Sequence, residues 1–170
     1  KWPMFREIFE ELENTHWLYL AALLHDTGKG YGEDHSIKGA SLIPNILNRL
    51  GIEGKALKVI PFLVKEHLLL AHISQRRDLG DEKTAVQVAQ IIQDKDLLQM
   101  LFLLTVADSF ATGPIARSDW RIMLLIELFV KVRHIITGGI LASPDATQKF
   151  ETNKELLIDS LKANFPKEDI

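Results

Sequence analysis

The chain has no cysteine among its 170 residues, which excludes both a disulfide framework and a thiolate metal site. Any metal it binds is held by nitrogen and oxygen. A basic excess is missing too: 20 Lys and Arg stand against 23 Asp and Glu, for a formal net charge of -3. With no basic stripe in the sequence, nucleic-acid binding is not expected. Hydrophobic residues make up 46% of the chain, yet no apolar run is long enough for a membrane. Leu97 to Ala107 falls short of the roughly 20 residues a span needs and carries Gln99 inside it. There is no secretory signal and no initiator Met, so a cytoplasmic protein, cut from something longer, is expected. Alternating strand-like runs, internal repeats and low-complexity tracts are absent as well.

What is present is helical apolar spacing nearly throughout, which predicts an all-α fold. The length fits one domain, 1–170, large enough to bury about two thirds of its unfolded surface. Helices are expected at about 3–13, 15–26, 35–50, 53–70, 81–93, 95–111, 115–137 and 145–163. Breakers separate them: Gly28, Gly30 and Gly32; Gly51 and Gly54; Gly80; Gly113-Pro114; Gly138-Gly139; Ser143-Pro144. Asp34 and Asp81 are expected N-caps, each preceding a helical pattern with a side-chain oxygen to accept a first-turn amide. The charged segment 145–170 reads as a packed final helix or the start of a linker.

The chemistry concentrates on His25-Asp26, in the run Leu23-Leu24-His25-Asp26-Thr27-Gly28-Lys29-Gly30, where an apolar helix gives way to glycine. His35, His67 and Asp108 follow, each in or beside an apolar stretch where an unpaired polar side chain is costly to bury. Imidazole and carboxylate together suit a divalent cation, and a cation reconciles such a cluster with burial. Each residue also has a plainer reading. His67, between Phe62-Leu63-Val64 and Leu68-Leu69-Leu70, reads as a ligand or as a satisfied core histidine. Asp108, at the end of the most apolar helix, reads as a ligand or as the partner of Lys65, Arg76 or Arg77. Lys29 reads as a phosphate-holding ammonium in a glycine-bracketed turn or as an exposed loop lysine. His35 opens a helix, four residues before Gly39, where a small residue permits close approach of another helix. His16 lies nine residues before His25, on the opposite face of a continuous helix. His16, His72 and His134 are read as surface or packing residues.

These residues together resemble the HD superfamily of metal-dependent phosphohydrolases, whose pattern is a first His, a His-Asp pair and a distant Asp. His25-Asp26 matches the pair and Asp108 the distant Asp. Leu18 to Gly30, Asp34-His35-Ser36, Gly39-Ala40, Glu66 to Leu70, Ser74 to Leu79 and Leu104 to Pro114 resemble one branch more closely. That branch is the HD domain of the bifunctional uridylyltransferase/uridylyl-removing enzymes that modify PII, and the resemblance spans about residues 15–137.

The resemblance implies a single HD-domain bundle of about seven or eight helices holding a divalent ion, Mg, Mn, Fe or Zn. It implies metal ligation by His25, Asp26, His35, His67 and Asp108, the extra histidines being like those of members that bind two metals. In catalysis, Asp26 or Asp108 would orient a water or take its proton. Lys29 would hold the phosphate, and Arg76 and Arg77 would hold substrate or pair with surface acids. The expected substrate is a phosphoester or a nucleotidylated group, with uridylylated PII as the specific case. Two departures stand out. No first His precedes His16, so that ligand is lost or lies before Lys1, and Glu66 stands where the family often has a second His. The alternative is an HD-fold regulatory or nucleotide-binding module without hydrolytic activity. Transferase activity is not expected.

Overall fold

The computed structural model describes residues 2–32, 34–113 and 118–138. The described residues form eight helices and no strand: α1 (Pro3–Glu10), α2 (Thr15–Leu24), α3 (His35–Arg49), α4 (Ala56–Glu66), α5 (Leu69–Arg76), α6 (Glu82–Ile92), α7 (Lys95–Thr112) and α8 (Asp119–Thr137). The fold is the all-α bundle that the apolar spacing predicts, and these helices belong to one compact unit ending at Thr137. The expected helix at 145–163 lies outside the described residues.

Local chemistry sets the boundaries. The Asp34 carboxylate accepts from the amides of Ser36 and Ile37 at the start of α3, and Asp81 accepts from the Lys83 amide at the start of α6. Asp94 caps α7 in the same way, accepting from the Leu97 amide. One expected element is corrected. The span 53–70 is not one helix: the chain leaves helical pairing at His67 and Leu68, and a separate helix, α5, follows. The unbroken apolar spacing across 60–70 hid this, because both helices bury that face.

α7 sits at the centre, buried around most of its circumference through Leu98, Met100, Leu101, Phe102, Leu104 and Val106. Phe102 stacks on Phe129 of α8 with ring centroids 4.2 Å apart and meets Phe5 of α1 edge-on at 5.6 Å. α3 packs along α4, and α2 packs on both α4 and α7. The C-terminal ends of α2 and α4, the start of α3 and the second half of α7 thereby meet in one region.

Candidate metal centre

That region gathers the five residues singled out from the sequence. His25 follows the last residue of α2, with Asp26 next to it; His35 opens α3; His67 follows the last residue of α4; Asp108 lies on α7. Asp26, His35 and His67 each offer a ligand atom, and these atoms all lie within 4.8 Å of one another. His25 Nε2 is 3.3 Å from Asp26 Oδ2 and 3.6 Å from Asp108 Oδ1. His35 Nε2 is 3.7 Å from Asp26 Oδ1 and 3.4 Å from His67 Nε2. Asp26 thus faces His35 with one oxygen and His25 with the other.

Two histidines are oriented by the helices they terminate. A helix C-terminus leaves carbonyls without amide partners, and here His25 Nδ1 reaches the Ala22 carbonyl at 2.8 Å while His67 Nδ1 reaches that of Val64 at 2.6 Å. A carbonyl only accepts, so in each neutral ring Nδ1 carries the hydrogen and Nε2 turns a lone pair into the cluster. Carbonyl-anchored imidazoles of this kind are how proteins present histidine to metals. Burial, reinforced by the neighbouring His25 and His35, lowers the His67 pKa despite the opposing pull of its bond to Val64. His67 is therefore neutral near pH 7. Its lone pair faces His35 Nε2 and has carboxylates close by, so a proton or a cation must lie between these groups. The negative ends of the α2 and α4 dipoles point the same way and favour the cation. Nitrogen and oxygen donors without sulfur fit a hard or borderline divalent ion.

Lys29 completes the polar rim. Its ammonium lies 2.6 Å from Asp26 Oδ2, and the hydrogen bond and charge of Asp26 raise its pKa, with Asp108 adding to the effect. Burial pushes Asp26 up, but Lys29, His25 and His67 outweigh it, and its pKa is lowered overall. The carboxylate is ionised and the lysine charged.

An HD domain family model matches residues 4–111. The chain belongs to the HD domain family. Bifunctional uridylyltransferase/uridylyl-removing enzymes are similar to it at 36% identity in three organisms. The match to that of Gluconobacter oxydans covers 99% of this chain and 18% of the relative. For Azospirillum brasilense the shares are 81% and 15%, and for Streptomyces coelicolor 88% and 18%. The chain therefore spans less than a fifth of each of these relatives. Family membership supports a metal-dependent hydrolase role for the HD domain. None of its described helices is long and apolar enough to cross a membrane.

The other residues of interest sort clearly in this HD domain. Asp108 is met by His25 and by the Thr112 hydroxyl at 3.3 Å, whereas Lys65, one of the cations considered for it, pairs with Glu66 at 2.7 Å. Glu66, standing where a second His is common, is outside the group of three ligand atoms. Arg76 and Arg77 are exposed at the end of α5. His16 and His72 are exposed as well, and His134 lies in the last turn of α8. What the sequence reading missed is the support: the two anchoring carbonyls and the break between α4 and α5.

The lowered pKa of His67 has a consequence for stability in this HD domain without metal. Its folded pKa lies below the unfolded value of about 6.5, so the unfolded chain binds the proton more readily. Stability is then flat in this respect above about pH 6.5 and falls as the pH drops below it. Asp26, with its folded pKa lowered, acts in a separate window, losing its contribution only as the pH falls below about 4. Chelator-treated protein should show a falling urea midpoint from pH 6.5 to 5, and His67→Gln should flatten that slope. An unchanged slope would place the effect on another group.

Proposed function

We propose that this HD domain is a divalent-metal-dependent phosphohydrolase of the uridylyl-removing kind, acting on uridylylated PII. The observation that carries the reading is the convergence of Asp26, His35 and His67 ligand atoms within 4.8 Å. In this reading His25, Asp26, His35, His67 and Asp108 hold the metal, be it Mg, Mn, Fe or Zn. When bound, such an ion supplies positive charge to the phosphoryl oxygens and lowers the pKa of a water from 15.7 towards about 7. Lys29, with its side chain 62% exposed, swings between Asp26 and a phosphate oxygen of the incoming ester. Asp26 is engaged at both oxygens, by His35 on one side and by His25 and Lys29 on the other. Asp108 uses Oδ1 towards His25 and Thr112, so we assign it to orient the attacking water and take its proton. The water oxygen bonds to phosphorus, the bond from phosphorus to the tyrosyl oxygen breaks, the departing phenolate takes the proton held by Asp108, and the phenol and uridine monophosphate separate. Exposed Arg76 and Arg77 are assigned to the acidic or phosphorylated parts of the substrate.

The test is metal-dependent hydrolysis. Protein supplied with Mn²⁺ or Mg²⁺ should release uridine monophosphate from uridylylated PII and turn over a generic phosphodiester more slowly, with chelator abolishing both. A metal-loaded protein inert on every ester offered would favour the regulatory-module reading.

A further inference from the structure

The break between α4 and α5 leaves the His67 carbonyl outside both helices, because the hydrogen-bond ladder of α5 opens one residue later, with the His72 amide bonded to the Leu68 carbonyl. A buried carbonyl needs a donor. The His67 carbonyl accepts from the hydroxyl of Thr105, 2% exposed on α7, which lies 3.2 Å from His67 O and 2.8 Å from Leu101 O. Its single hydrogen is shared between the two. Leu101 O already sits in the α7 hydrogen-bond ladder, so the His67 carbonyl has the greater need of it. Thr105 also stands one turn before Asp108 on the same helix. The same side chain is thus fixed to the helix that carries Asp108 and to the backbone that carries His67.

We propose that Thr105 is a positioning residue for the metal centre, holding the broken turn so that His67 Nε2 meets Asp26 and His35. The proposal rests on the metal-dependent reading above, because the imidazole it aims is assigned there as a ligand. Thr105→Val keeps the shape and removes the donor, whereas Thr105→Ser keeps the donor and removes the methyl. Both should be compared with wild type by Mn²⁺ titration and by the imidazole ¹⁵N signals of His67 in metal-free protein. Thr105→Val should weaken Mn²⁺ binding about tenfold, within the ten- to hundredfold range of outer-shell partners. It should also shift the His67 signals, with Thr105→Ser restoring both. A merely structural Thr105 would lower the melting temperature of the valine variant while leaving Mn²⁺ affinity and the His67 signals where they were, and that result overturns the proposal. If Thr105→Val does not fold, Thr105→Ser against Thr105→Ala decides by the same two readouts. Wild type that binds no Mn²⁺ would sink the metal reading, while the ¹⁵N signals would still decide whether Thr105 orients His67.

Discussion

Gly28→Ala is expected to destabilise the domain by upwards of about 3 kcal/mol, beyond the usual cost of overpacking, and to scatter the candidate metal centre. A Cβ at Gly28 would lie 2.0 Å from the His35 carbonyl oxygen and 2.5 Å from the Gly39 amide nitrogen. Both are backbone atoms, so no rotamer change relieves the overlap; the start of α3 must move, and His35 with it. Gly39→Ala should be far milder, about 1 kcal/mol, because its added Cβ meets chiefly the Val64 Cγ1 methyl at 3.2 Å. Gly30→Ala meets nothing within 4 Å but has φ +89°, which costs an L residue about 1–2 kcal/mol. Urea unfolding of the three variants should rank Gly28→Ala well apart from the other two. A Gly28→Ala protein that unfolds at the wild-type midpoint would show that the turn and α3 are not held as closely as described.

The same contact bears on what the sequence could convey. The glycines after Asp26 invite the reading of a loop that lets backbone approach a ligand, and Gly30 and Gly32 do lie in open surroundings with positive φ. Gly28 does something else. It lets the turn press against α3, so its value depends on a neighbour seven residues away that no local pattern displays. Gly39, by contrast, was legible as a place of close helix approach, and the structure sets it against Gly28 and Val64.

The helix pattern was readable because most helices bury one apolar stripe, and Asp34 and Asp81 were readable because capping is local chemistry. The break at His67 was not. Its residues are good helix formers on a buried face, and the interruption is supported by Thr105, 38 positions away in sequence. Burial cost pointed to a common partner for His25, Asp26 and Asp108, since polar groups in apolar surroundings need one another or a shared cation, and the HD resemblance added His35 and His67 to that set. Their anchoring was not anticipated, although His25 and His67 share a simple arrangement, an imidazole just past a helix end bonded to the carbonyl three residues back. That arrangement is visible only once both helix ends are known.

Asp26→Ala is expected to have the largest effect on function. Asp26 lies between His25 and His35 and is the one carboxylate in the group of three ligand atoms. Removing it takes away the anionic donor that offsets the charge of a divalent ion and leaves three imidazoles with Asp108. Metal affinity should fall at least about 100-fold, the upper end of what outer-shell losses produce, and metal-stimulated hydrolysis should disappear. Folding should change little, since the ion pair lost with Lys29 is partly exposed and such pairs contribute less than about 1 kcal/mol. The most direct measurement is a Mn²⁺ titration of wild type and Asp26→Ala, following free Mn²⁺ by electron paramagnetic resonance, with circular dichroism to establish that both are folded. The account predicts saturable Mn²⁺ binding by wild type that is lost in the folded variant. Equal binding by the two proteins, or none by folded wild type, would contradict it.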